Sequence, residues 1–274
     1  MSAVIEGLLT DLRSEQDELF DLLRSAPAST WKRQTPAPHW NVQDQVAHVA
    51  HFDWIATVAF ADPDEFIRMR ESLGDLQTYV DAIGPANAHR SGEQMLQWWD
   101  EERNALLEAA ARLAALDASA RVPWFGPSMS IASKITARLM ETWAHGQDIT
   151  DAIGLRRAPT ARLRHIARIG VLAFANSFRS HGRQVPDDTV YVDLQGVDGD
   201  RWTWGEPSAA NSVRGPAEDF CLVVTQRRHI ADTTLDVSGE IATEWMTVAQ
   251  AFAGPPGKGR QPGQFEASAQ TLIV

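Results

Sequence analysis

The chain has 274 residues, of which 44% are hydrophobic and 22% charged; it can bury a core without staples, which excludes a disordered chain, a collagen-like repeat and a disulfide scaffold. One cysteine cannot close an intramolecular disulfide. Twenty-five basic residues against 36 acidic ones give a net charge of −11, a poor match to nucleic-acid phosphates or an anionic membrane surface.

No apolar run approaches the roughly 20 residues of a membrane span. The first twenty residues are acidic and amphipathic, unlike a secretory signal. The expectation is a cytoplasmic protein acting on a small molecule. Seven of the ten tryptophans precede residue 155, which places the larger aromatic core in the N-terminal part. Exposed tryptophans, if any, would favour a homodimer interface.

Ile5, Leu8, Leu9, Leu12, Leu19, Phe20, Leu22 and Leu23 recur at mostly helical spacing, so residues 3–24 are predicted as an amphipathic helix that Pro27 stops. Residues 26–40 hold three prolines and form a loop. Asn41 and Asp44 form a capping-box variant that opens a second helix to about residue 60, with Trp40 as a staple. The stretch 61–90, broken by Pro63, Gly74, Gly84 and Pro85, reads as short helical pieces. Ser91 caps a long helix to about residue 116, and Ser130 caps another that Gly154 ends. Four long helices point to a four-helix bundle.

The period changes after residue 155. Residues 160–181 read as one more helix. TVYVDLQGVDGDRWTWG reads as two strands around a turn at 197–200. VRGPAEDFCLVVTQRR reads as a helix entered at Gly215–Pro216, TTLDVSG as a strand, and Glu240–Phe252 as a last helix. The tail from Gly254 is Gly/Pro-rich and expected to be loosely held. The predicted fold class is α plus α+β: a helical bundle over 1–155 and a smaller C-terminal helix plus α+β module over 156–274.

The residues suited to chemistry lie on two bundle helices. Glu141 and His145 are four apart and share a helix face, a spacing that can chelate one divalent ion. Alone, the pair is weak: helices carry such pairs by chance on solvated faces. Here its flanks are apolar, with Ile135, Leu139, Met140, Trp143, Ala144 and Ile149 around it. His48 and His51 sit in an equally apolar setting on the second helix, three residues apart, so both can face inward and they compete for the same role. Two polar clusters on two core helices can satisfy each other through one metal. Three protein ligands would leave coordination positions open, the catalytic pattern. Asp44, one turn before His48, can orient its imidazole, although capping explains it without a metal.

The segments WNVQDQVAHVAHFDW (40–54) and ETWAHGQDITDAIG (141–154) resemble the DinB/YfiT-like metal-binding bundles, most closely the mycothiol-dependent maleylpyruvate isomerase branch. Trp40, Val42, Asp44, His48, Glu141, His145, Gly146, Gln147 and Asp148 carry the likeness. It implies a DinB-like four-helix bundle, with His48, Glu141 and His145 as ligands of zinc. Asp44, His51 and Asp148 would then lie behind them. RGPAEDFCLVVTQRR (214–228) resembles the branch's C-terminal segment, with Phe220 where leucine is common. It implies that Arg227 or Arg228 holds an anionic substrate, against the plainer reading of both arginines as a solvated helix end.

The implied cofactors are a divalent ion, zinc, and the thiol mycothiol. The implied function is a metal-dependent isomerase or thiol transferase acting on a small electrophile. Two other readings stay open: a metal-dependent hydrolase with no thiol, and a non-catalytic metal-binding module, since no independent general base is evident. Cys221, between Phe220 and Leu222, reads as a core residue, so a thiol would come from outside. GPPGKGR (254–260) lacks the full phosphate-loop pattern.

Overall fold

The computed structural model describes residues 2–265 and 271–272. The chain divides into two compact units, Met1–Leu155 and Arg156–Val274. The first holds six helices among the described residues: α1 (Ala3–Ser25), α2 (Val42–Ala61), α3 (Pro63–Ser72), α4 (Leu76–Asn87), α5 (Gly92–Leu116) and α6 (Ile131–Ile153). The long ones, α1, α2, α5 and α6, form a four-helix bundle. In it α2 packs against α5 and α1 against α6, and α3 and α4 fill the predicted broken stretch.

Local chemistry fixes these boundaries. Asn41 and Asp44 form a reciprocal capping box on α2, and Ser91 and Gln94 do the same on α5. Ser130 caps α6, which Gly154 ends in the left-handed region at φ 73°. Helix α1 buries Ile5, Leu8, Leu12, Leu19 and Leu23 as its spacing predicts, but also Glu15 and Gln16. Leu9, Phe20 and Leu22 stay half-buried at the edge of the stripe. A short hairpin, Arg121–Val122 against Met129–Ser130, carries Trp124 and Phe125 in its loop.

The second unit is the α+β module. Its helices are α7 (Leu163–Leu172), α8 (Phe174–Ser180), α9 (Ala217–Val224) and α10 (Glu240–Val248). Its sheet runs in the order 201–204, 190–195, 211–216, 236–238, and the two central strands are parallel. Three sequence readings shift. The helix over 160–181 breaks at Ala173. The strand Asn211–Pro216 leads into α9 at Ala217, and α9 ends at Val224 rather than running to Arg228. The last helix stops at Val248. The tail makes specific contacts: Gln250 Nε2 donates to the carbonyls of Gly254 and Phe252, and Gly263 N donates to Asp232.

All ten tryptophans are buried or half-buried, which removes the reason that exposed ones would have given for a homodimer. No helix among the described residues is long and apolar enough to cross a membrane.

Candidate metal centre

The capping box fixes where α2 starts, and His48 follows two turns later. On α6, Glu141 and His145 are one turn apart. Packing of α2 against α6 brings the three side chains together. His145 Nε2 lies 3.3 Å from Glu141 Oε2, and His48 Nε2 lies 3.7 Å from the same oxygen. One ligand atom from each residue falls within 4.8 Å of the others. Metal–ligand bonds of about 2.0–2.2 Å in a tetrahedron put donor atoms roughly 3.3–3.6 Å apart. The three residues therefore fit one small divalent ion with minor adjustment.

Aromatic rings wall the cluster. Trp40 stacks on His145 at 5.8 Å and 15°, and its ring centre is 5.2 Å from that of His48. Trp40 is thus a cover over both imidazoles rather than only a helix staple. Phe52 lies 4.5 Å from His48 and leads into Trp124, Phe125 and Phe66. The Lys134 ammonium, 1% exposed, lies over the Trp124 ring.

Burial, reinforced by His145, pushes the His48 imidazole down to about 3, against the pull of Glu141. For Glu141, burial raises its affinity for a proton, but the His145 and His48 imidazoles beside it outweigh that and hold the carboxyl well below its usual range. A neutral imidazole beside a carboxylate is the protonation state that a metal requires.

The other predicted residues divide. Asp44 is spent on the cap: its Oδ2 accepts from Asn41 N at 2.9 Å. His51 faces away from the cluster, with Nε2 2.6 Å from the Tyr79 hydroxyl, and burial lowers it to about 4. Asp148 is 1% exposed, one turn beyond His145 on α6. In the second unit, Arg227 donates to Thr225 O and Arg228 to Arg227 O, each at 2.7 Å, and the Arg228 guanidinium lies over Phe265. Cys221 is fully buried, and its thiol donates to Leu163 O at 3.4 Å.

Sequence reasoning passed over Gln45. Its Oε1 is 2.5 Å from His145 Nδ1, and its Nε2 is 2.9 Å from Thr35 Oγ1. The available signal was that Gln45 lies three before His48, on the same helix face, with no capping role of its own.

With this geometry in place, comparison with known proteins places it. The family described as "Mycothiol maleylpyruvate isomerase N-terminal domain" matches residues 12–150. Two uncharacterized proteins of Mycobacterium tuberculosis, from strains CDC 1551 / Oshkosh and ATCC 25618 / H37Rv, are each 42% identical over 253 residues, spanning 92% of this chain and 97% of theirs. Two crystal structures of a mycothiol-dependent maleylpyruvate isomerase, one of them a mutant, share the fold. Their TM-scores are 0.57 and 0.58 at 14% and 13% identity, over 83% of this chain and 93% of theirs.

Proposed function

The chain belongs to the mycothiol maleylpyruvate isomerase N-terminal domain family, and on that premise we propose that it is a metal-dependent enzyme of the thiol-using isomerase or transferase type, acting on a small electrophilic substrate. The observation that carries the reading is the His48–Glu141–His145 cluster, whose donor atoms converge within 4.8 Å. Zinc is the ion that best suits two imidazoles, one carboxylate and an open position. Held by three protein ligands, such an ion lowers the pKa of a bound water or thiol and so supplies a nucleophile at neutral pH.

The chain's own residues do the rest. His48 and Glu141 stay unprotonated at neutral pH and offer lone pairs. Trp40 and Phe52 keep bulk water from the imidazoles. Cys221 is buried and its thiol is pushed well above its ordinary value by that burial, so the nucleophilic thiol comes from outside as mycothiol. A reduced thiol cofactor and an unpaired cysteine both suit the cytoplasm.

Metal content of purified wild type, His48→Ala and Glu141→Ala tests the site. About one ion per wild-type chain, lost in both variants, is expected for a single three-ligand centre. Turnover of maleylpyruvate and other activated alkenes or electrophiles, with and without mycothiol, then tests the chemistry. No metal after reconstitution with divalent ions overturns the proposal. Turnover that needs metal but ignores mycothiol replaces the thiol enzyme with a hydrolase.

A further inference from the structure

A backbone carbonyl that can only accept hydrogen bonds lies at one end of a chain of polar groups leading to His145. The Thr35 hydroxyl donates to Trp40 O at 2.6 Å, so its oxygen is left to accept. The Gln45 amide therefore turns its NH2 toward Thr35, at 2.9 Å. Its carbonyl oxygen then faces His145, 2.5 Å from Nδ1. An amide oxygen cannot donate, so the proton must sit on His145 Nδ1. The lone pair of the neutral ring then lies on Nε2, the atom that faces Glu141. Gln45 is 0% exposed and Thr35 4%, so water does not compete for these bonds.

From this order of donors we infer that Gln45 is a positioning residue: with Thr35 behind it, it fixes the tautomer and ring orientation of His145 for metal ligation. This rests on the metal reading of His48, Glu141 and His145. The two imidazoles are treated differently. His48 Nδ1 is buried without a hydrogen-bond partner among the described residues, and its ring is packed by Trp40, Phe52 and His145 with only Nε2 facing Glu141. The hydrogen bond that sets a ligating histidine's free nitrogen is worth about 10–100-fold in metal affinity. Here that contribution falls on one side of the site.

Two readouts on the full chain test this. The first is the nitrogen NMR signature of His145 in metal-free protein at alkaline pH, assigned by its loss in His145→Asn. The second is zinc affinity by competition with a chromophoric chelator. Wild type is expected to show the Nδ1–H tautomer. Gln45→Leu is expected to shift the tautomer population and weaken zinc by about 10–100-fold. Gln45→Glu keeps an acceptor at the same place and is expected to restore both. Thr35→Val, which frees the amide to turn, gives a smaller shift in the same direction and serves if Gln45→Leu does not fold. An unchanged tautomer in Gln45→Leu, or zinc affinity within twofold of wild type, overturns the inference. Absence of zinc binding by wild type overturns the metal reading instead, while the tautomer measurement still decides what Gln45 does.

Discussion

Arg138 and Asp53 meet at 2.9 Å in the bundle core, with side chains 3% and 0% exposed. Asp53 also accepts from Gln16 Nε2 at 3.2 Å and Trp99 Nε1 at 3.0 Å. One carboxylate on α2 thereby ties in α1, α5 and α6. Arg138 also donates to Val49 O at 3.1 Å, beside His48, and it lies one turn before Glu141. The network thus fixes α6 against α2 at the level of the candidate ligands.

Removing one member leaves the other charge buried and unpaired. Asp53→Ala or Arg138→Met is expected to cost about 3–5 kcal/mol of unfolding free energy. The double variant should cost less than the sum, because neither charge is then left alone. Urea denaturation of the four chains in this cycle measures it. Additive losses would show that the pair does not act as a unit.

The pH dependence of the metal-free chain follows from the two lowered histidines. His48 is held at about 3 by burial and His145, and His51 at about 4 by burial, against an ordinary value of 6.5. Below 6.5 the unfolded chain takes up protons that the folded chain refuses. Stability is therefore expected to be flat above that pH with respect to these groups. It should fall by about 1.4 kcal/mol per pH unit for each histidine as pH drops toward 4 and 3. Glu141, held low in the folded state, adds in the same direction below its ordinary 4.5. Denaturant midpoints of chelator-treated protein across this range test the sign, and His51→Phe should make the fall shallower.

Asp44 separates capping from metal support. Both of its roles were open in the sequence, because residues three and four before His48 share its helix face. In the structure Asp44 closes the cap with Asn41, while Gln45 reaches the ligand shell. Asp44→Ala is expected to cost about 1 kcal/mol of stability and to leave zinc affinity within twofold of wild type. A tenfold loss of zinc at unchanged stability would return Asp44 to the metal site.

What could be read from sequence alone was local. The long helices announce themselves through Asn41, Ser91, Ser130 and Gly154 and through their apolar stripes. Glu141 and His145 stand out as polar residues at one-turn spacing in an apolar run. Gln45 does not, since its partners Thr35 and His145 are set by a loop and by a second helix. Asp53 and Arg138 are 85 residues apart, with no short-range signal for their pairing. The strand Asn211–Pro216 has no sequence signal of its own, because it is defined by a parallel neighbour, 190–195, rather than by a hairpin turn. The break at Ala173 has neither proline nor glycine to mark it.

Cys221 bears on where the thiol comes from. It lies inside α9 with its side chain fully buried, and its thiol donates to Leu163 O. Burial is the largest of the influences that raise it well above the ordinary thiol value. A thiol that stays protonated and out of reach is neither a nucleophile nor a metal ligand. The native chain is therefore expected to resist an aromatic disulfide reagent that labels one thiol per chain after denaturation. Cys221→Ala should keep mycothiol-dependent turnover and bind zinc as wild type does. Loss of turnover in a folded, zinc-loaded Cys221→Ala chain would place the protein's own thiol in the chemistry and remove the need for an external one.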